Sequence, residues 1–384
     1  MKRSTDRILT THAGALPRPE ELGELLTARL EGVPYDADDL ARRLDRAVEE
    51  VVQKQVECGV DVVNDGEVSK PHFSHYIRER LGGIEVRQHP PGDEPAPPSI
   101  SGRDRRQFPG YFTIAGRRTN IGVHPSRVFC TGPLTYVGQA VIEADIARLR
   151  AALRGVQVEE AFLPAITPGT MEHWLRNEYY PSGEAFLYAI ADALHEEYQA
   201  IVDGGFVLQV DNPDLPAAWQ MHPDLDVAAF RQLAEVRIDA LNHALRGIPP
   251  DRVRMHVCWG SYHGPHANDI PLREIVDLVL KVRAEGYSLE ASNPRHEHEW
   301  QVWQDVKLPA GKVLIPGLVS HASDFVEHPE LVAQRLERFA RLVGRENVIA
   351  GTDCGLGGRV GHPEIVWAKL QALAEGARLA TRRL

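Results

Sequence analysis

The chain has 384 residues, 43% hydrophobic and 25% charged, the composition of an ordinary globular enzyme with a sizeable core. Its 43 basic and 54 acidic residues leave a net charge of −11, which argues against a nucleic-acid partner, since binding a phosphate backbone needs a basic surface. No run of 18 apolar residues suits a membrane helix, the N-terminal MKRSTDRILTTHAG lacks a signal peptide's apolar stretch, and the four cysteines are expected to be reduced thiols in the cytoplasm, free to bind metal.

In chain order, apolar runs at 8–14, 60–66, 161–167, 206–211, 253–258, 286–291, 313–319 and 347–353 read as strands. Amphipathic stretches between them read as helices. Several meet a Gly before the next run, as in HEEYQAIVDGGFVLQVD, LKVRAEGYSLEAS and RFARLVGRENVIAGTD. Eight strands alternating with helices predict an α/β fold, a (β/α)8 TIM barrel, in one catalytic domain over 1–384. The alternative is an open doubly wound sheet. It would want GxGxxG or GxxxxGK(S/T) after an early strand; neither occurs, and the GLGG at 355–358 fits neither spacing. The segment 85–135 breaks the rhythm and reads as an insertion. HPPGDEPAPPS reads as a flexible loop, while GYFTIAGRRTNIG and RVFCTGPLTY read as short strands of a hairpin arm outside the barrel.

In a barrel, chemistry sits where the strands end. The polar residues there are His12, Gly14, Glu67, Thr167, Asp211, His256, Cys258, Glu290, His321, Asp353 and Cys354. In RMHVCWG, residues two apart share a face, so His256 and Cys258 present an imidazole and a thiolate side by side. Zinc accepts both, at about 2.0 and 2.3 Å, and needs further donors. Cys354 and Glu290, from two other strand ends, are the candidates, and thiolates favour zinc over magnesium or calcium. A hydrogen-bonded core His beside a buried Cys is the bland alternative for a lone His-x-Cys. The HEHE run at 296–299 is a rival metal site. Asp353, beside Cys354, is placed to hold a ligand from behind. Trp259 and Tyr262 either line the pocket or pack.

These motifs resemble the cobalamin-independent methionine synthase family, and more closely its short, single-barrel bacterial branch, which includes epoxyalkane:coenzyme M transferase. The likeness is carried by TTHAGALPRP, DVVNDGE, LQVDNPDLP, HVCWGSYHGPH, YSLEASNPRHEHEW, GLVSHASDFVEHPEL and GTDCGLGGR, from residue 10 to about 370. The resemblance implies that His256, Cys258, Glu290 and Cys354 bind Zn2+, and that a small thiol substrate loses its proton there. A free thiol has a pKa of about 8.5, and a metal lowers it. It implies that Gly14, Glu67 and Asp211 contact homocysteine, and that His321 protonates the leaving group as a general acid. Two departures stand out. Where the synthases carry Gly-Ser, Gly14 is followed by Ala15, which removes a hydroxyl contact to a substrate carboxylate. The full-length synthases also have two barrels and contacts for a folate tail. The reading implied is zinc-dependent transfer of a methyl or other alkyl group to a small thiol, homocysteine or a relative, with methyltetrahydrofolate among the candidate donors. Alternatives are alkylation of a thiol such as coenzyme M by an epoxide, a metal-free barrel lyase such as a decarboxylase, and a binding protein that has lost the reaction.

Overall fold

The computed structural model describes residues 1–88, 99–115 and 126–384. The strands among them are β1 (Val62–Val63), β2 (Leu81–Gln88), β3 (Ser126–Tyr136), β4 (Glu160–Ile166), β5 (Leu175–Asn177), β6 (Val207–Asp211), β7 (Val253–Val257), β8 (Gly286–Leu289), β9 (Val313–Val319) and β10 (Gly351–Thr352). The order β1-β4-β6-β7-β8-β9-β10 makes one sheet, parallel at every pairing. Helices connect consecutive strands, and the strand residues are buried on both faces, as the apolar runs require.

The first expected strand, 8–14, forms a single bridge at Thr10 and no longer ladder. Yet its backbone reaches both edges of the sheet. Thr11 N–H donates to Ala350 O and Ala350 N–H to Leu9 O, both at 2.8 Å, while Asp61 and Val62 N–H donate to Thr10 O at 3.1 and 2.9 Å. One short segment can touch both edges only if the sheet is curled. The run 60–66 keeps only Val62–Val63 in the ladder, because Gly66 (φ 67°) and Glu67 (φ 55°) turn the chain out of the strand.

The helices follow local chemistry. In Ala37–Glu57, Leu40, Leu44, Ala47, Val48, Val51 and Val52 recur at helical spacing and are buried, and Asp36 accepts from Asp39 N–H to start the helix. Gly204 and Gly205 (φ 89°) end the helix Gly183–Asp203 just before β6, as the Gly signal predicts.

The insertion is built differently from the expectation. β2 and β3 pair antiparallel, with β5 alongside β3, so RVFCTGPLTY does lie in an arm outside the main sheet. The YFTIA stretch is helical instead, within Pro109–Ala115. Pro109 suits a first helical turn, and Phe112 is buried with the Arg105 guanidinium 4.6 Å from its ring centre. The rest of GYFTIAGRRTNIG, and HPPGDEPAPPS up to Ser99, lie outside the described residues. Among the described residues, no helix is long and apolar enough to cross a membrane, and all four cysteines are free.

Candidate metal centre

The parallel register sets the centre. His256 on β7 lies beside Ser288 on β8, and its Nδ1 is 3.1 Å from the Ser288 hydroxyl. That contact orients the ring. The other nitrogen, Nε2, is buried and, among the described residues, lies without a hydrogen-bond partner of ordinary geometry. Cys258, just past the end of β7, is buried, with its Sγ 3.0 Å from Ser261 Oγ and accepting from Gly260 N–H at 3.3 Å. Cys354 follows β10, and its Sγ is 3.5 Å from Cys258 Sγ. The ligand atoms of His256, Cys258 and Cys354 all lie within 4.8 Å of one another.

Electrostatics couples the three. The hydrogen bond shared with Cys258 and the neighbouring His256 hold the Cys354 thiol well below its ordinary range, against the opposing effect of burial. Cys258 is pushed up by the same bond to Cys354, then by burial. Burial works against a charged His256, but Cys354 outweighs it and the imidazole pKa rises. Two sulfurs and an imidazole are thus crowded into one buried group, each shifting the others' proton affinity.

Glu290 does not fall into the sulfur group. It forms a second cluster with His321 and Asp353, again within 4.8 Å. Its Oε1 accepts from Trp259 N–H at 2.9 Å and its Oε2 from Asn293 Nδ2 at 2.8 Å, and burial raises its pKa. The two clusters adjoin through Trp259, the residue after Cys258. Asp353 is fully buried: Oδ1 accepts from Ala291 and Ser292 N–H at 2.8 and 2.9 Å, and Oδ2 from Asn293 Nδ2 at 3.1 Å. It therefore pins the turn that carries Glu290. His321 is buried, and among the described residues its Nδ1 has no hydrogen-bond partner.

Gly14, Glu67 and Asp211 come together on the β6 side of His256, whose register partner is Asp211. Gly14 has φ 145°, and a Cβ there would lie 2.4 Å from Glu67 Oε1, so only glycine permits the approach. Asp211 accepts from Gln209 Nε2 at 2.7 Å; burial, then the Glu67 charge, raise its pKa to about 7. Glu67, Asp211, His256, Cys258, Glu290, His321 and Cys354 all line one cavity of about 1410 Å³.

Sequence reasoning missed Lys70, in the cavity wall with Nζ 3.8 Å from Glu67 Oε2, and Ser288 behind His256. Ser288 was findable, because it sits two residues before Glu290 on the same strand face. Trp259 packs, donating from Nε1 to Ile270 O at 2.8 Å, whereas Tyr262 lines the cavity. His296 of the HEHE run is bound between Asp269 and Glu299, at 3.2 and 2.9 Å, and belongs to neither donor group. In the GLGG stretch, Gly357 packs closely on the first segment: a Cβ there would meet Leu16 O at 2.5 Å.

The family described as cobalamin-independent synthase, catalytic domain, matches residues 165–378. A methionine synthase from Sulfurisphaera tokodaii is 25% identical over 379 residues, covering 98% of this chain and 93% of the relative. One from Thermococcus kodakarensis is 21% identical over 376 residues, covering 98% and 94%. Among solved structures, a B12-independent methionine synthase from Shewanella sp. W3-18-1, in complex with selenomethionine, superposes with a TM-score of 0.73 at 22% identity, covering 98% of both chains.

Proposed function

Because this chain belongs to the cobalamin-independent synthase family, we propose that it transfers a methyl group to the sulfur of a small thiol, homocysteine or a close relative, at a zinc centre held by His256, Cys258, Cys354 and Glu290. The observation that carries this is the donor set. A buried imidazole nitrogen, without a hydrogen-bond partner of ordinary geometry among the described residues, sits beside two sulfurs 3.5 Å apart. Tetrahedral zinc with bonds of about 2.3 Å separates two sulfurs by about 3.8 Å, so the pair fits with a small adjustment. Glu290 would complete the set by turning from Trp259 N–H and Asn293, which makes it the donor most easily released. Zinc bound there supplies Lewis acidity that lowers a thiol's pKa and keeps it a thiolate at neutral pH.

The remaining steps belong to the chain's own side chains. Glu67 and Asp211 form a carboxylate pair whose mutual repulsion is relieved by a substrate ammonium group. His321, which lines the same cavity, gives a proton to the leaving nitrogen of the donor, methyltetrahydrofolate in this reading, as the methyl–nitrogen bond breaks. Ala15, which offers no hydroxyl for a substrate carboxylate, favours a second reading: opening of an epoxide by a thiol with a different anionic group, such as coenzyme M. We also read residues 1–384 as one catalytic domain with 85–135 inserted, and residues 9–11 as the stave that closes the sheet into a (β/α)8 barrel. The bonds from 9–11 to both sheet edges support this closure.

The test is an assay of the zinc-loaded protein with homocysteine and methyltetrahydrofolate, beside one with coenzyme M and an alkyl epoxide. S-methylation supports the first reading and S-hydroxyalkylation the second. Activity with neither pair, and indifference to zinc, would refute both.

A further inference from the structure

Residues 99–115 lie between β2 and β3 in the sequence, yet they dock against residues 219–225 and the 259–269 loop. The Arg103 guanidinium donates to Trp219 O at 2.6 Å, His222 O at 3.1 Å and Leu225 O at 2.6 Å, and lies 3.3 Å from the Trp219 ring centre. Gln220 Oε1 accepts from the backbone N–H of Arg103 and Asp104, at 3.0 and 3.3 Å, at the start of the helix Gly102–Gln107. Gly102 makes the approach possible, since a Cβ there would meet Gln220 O at 2.4 Å. So anchored, the segment delivers two side chains. Ile100 enters the cavity wall beside Gly260 and Tyr262. Asp104 is fully buried, and its carboxylate is satisfied entirely by the 259–269 loop: Oδ2 accepts from Tyr262 OH at 2.7 Å, and Oδ1 from Asn268 N–H at 3.0 Å and Asn268 Nδ2 at 2.8 Å.

That loop starts one residue after Cys258, and Gly260 N–H donates to the Cys258 sulfur. A buried carboxylate is costly unless its acceptors are filled, so Asp104 and the loop hold each other in one arrangement. We propose that the inserted segment is part of the working site: Ile100 roofs the cavity, and Asp104 is a positioning residue that holds the 259–269 loop, and through it the Cys258 side of the centre. The claim about Cys258 rests on the zinc reading above; the claim about the loop does not.

Hydrogen–deuterium exchange of the full chain, metal-free and zinc-loaded, tests both. In Asp104→Ala, exchange over 259–269 should quicken roughly tenfold or more, the worth of a hydrogen bond to a charged acceptor, while β7 and β9 keep their protection. Asp104→Asn has the same shape, can still accept from Asn268 and can pair with the Tyr262 hydroxyl, so it should restore slow exchange. From zinc-loaded Asp104→Ala, a chromogenic chelator should strip metal several-fold faster. Wild-type exchange in the loop of a folded Asp104→Ala overturns the positioning role. A faster loop with unchanged zinc release overturns the link to Cys258. If Asp104→Ala does not fold, Tyr262→Phe, which removes a single donor, decides instead: quicker exchange confined to the loop supports the proposal, and none overturns it. Should the wild-type protein take up no zinc, the metal reading fails while the exchange data still settle Asp104.

Discussion

Replacing Cys354 by Ser separates a metal ligand from a structural cysteine. The substitution swaps a soft sulfur donor for a harder, weaker hydroxyl in nearly the same volume, on a loop where the residue is only partly buried and its sulfur meets Cys258 at 3.5 Å. Four-ligand zinc sites bind with about 10–16 kcal/mol. An even share for one of four ligands is about 2.5–4 kcal/mol, or about 10²–10³ in Kd at about 1.4 kcal/mol per decade. The core does not depend on this side chain, so the metal-free variant should lose no more than about 1 kcal/mol of stability. Competition with a chromogenic zinc chelator reads the first quantity, and thermal melting by circular dichroism of metal-free protein reads the second. A Cys354→Ser protein that unfolds would make the residue structural. One that binds zinc as tightly as wild type would remove Cys354 from the ligand set.

Gently purified wild-type protein should contain about one zinc per chain, which elemental analysis reads directly; no zinc, and none taken up on addition, contradicts the centre. Saturating thiol should change the zinc shell from two sulfurs toward three as Glu290 leaves, seen by X-ray absorption at the zinc edge. His321→Asn should keep its zinc but lose roughly 10²–10⁴ in turnover, the usual worth of a general acid. That loss should shrink with a sulfonium donor whose leaving group needs no proton, and equal losses with both donors would make His321 a packing residue. Burial raises the Asp65 pKa from 3.8 to about 6, so between those values the folded state holds a proton that the unfolded state gives up. Stability therefore falls as pH rises through that window and stays lower above it. Asp65→Asn, which keeps the acceptor for Glu67 N–H, should melt higher than wild type at pH 8, by roughly 2–3 kcal/mol of stability. The advantage should fade by about pH 4, and a pH-independent difference would contradict this account.

Local pattern carried the parallel α/β class, and it marked the candidate donors as residue types. Strand alternation puts residues two apart on one face, so His256 and Cys258 were legible as a pair from RMHVCWG alone. Apolar runs after helix-ending glycines marked the parallel sheet, because burial on both faces leaves no polar alternation. The YFTIA stretch was misread as strand because five residues of mixed aromatic and β-branched character suit either state. Pro109 and the packing of Phe112 under Arg105 decided for helix. What the chain could not announce locally is anything set by register and closure across hundreds of residues. Cys354 meets Cys258 only because the strand ends of β7 and β10 converge on one cavity. Glu290 falls with His321 and Asp353 instead of with the sulfurs because Asp353 pins the turn that holds it. Asp104 reaches Tyr262, 158 positions away, because Gly102 lets the inserted helix lie against Gln220. Composition and period fix which residues can bind metal or bury charge, but distances between them are properties of the closed chain, where each contact depends on packing that no short stretch contains.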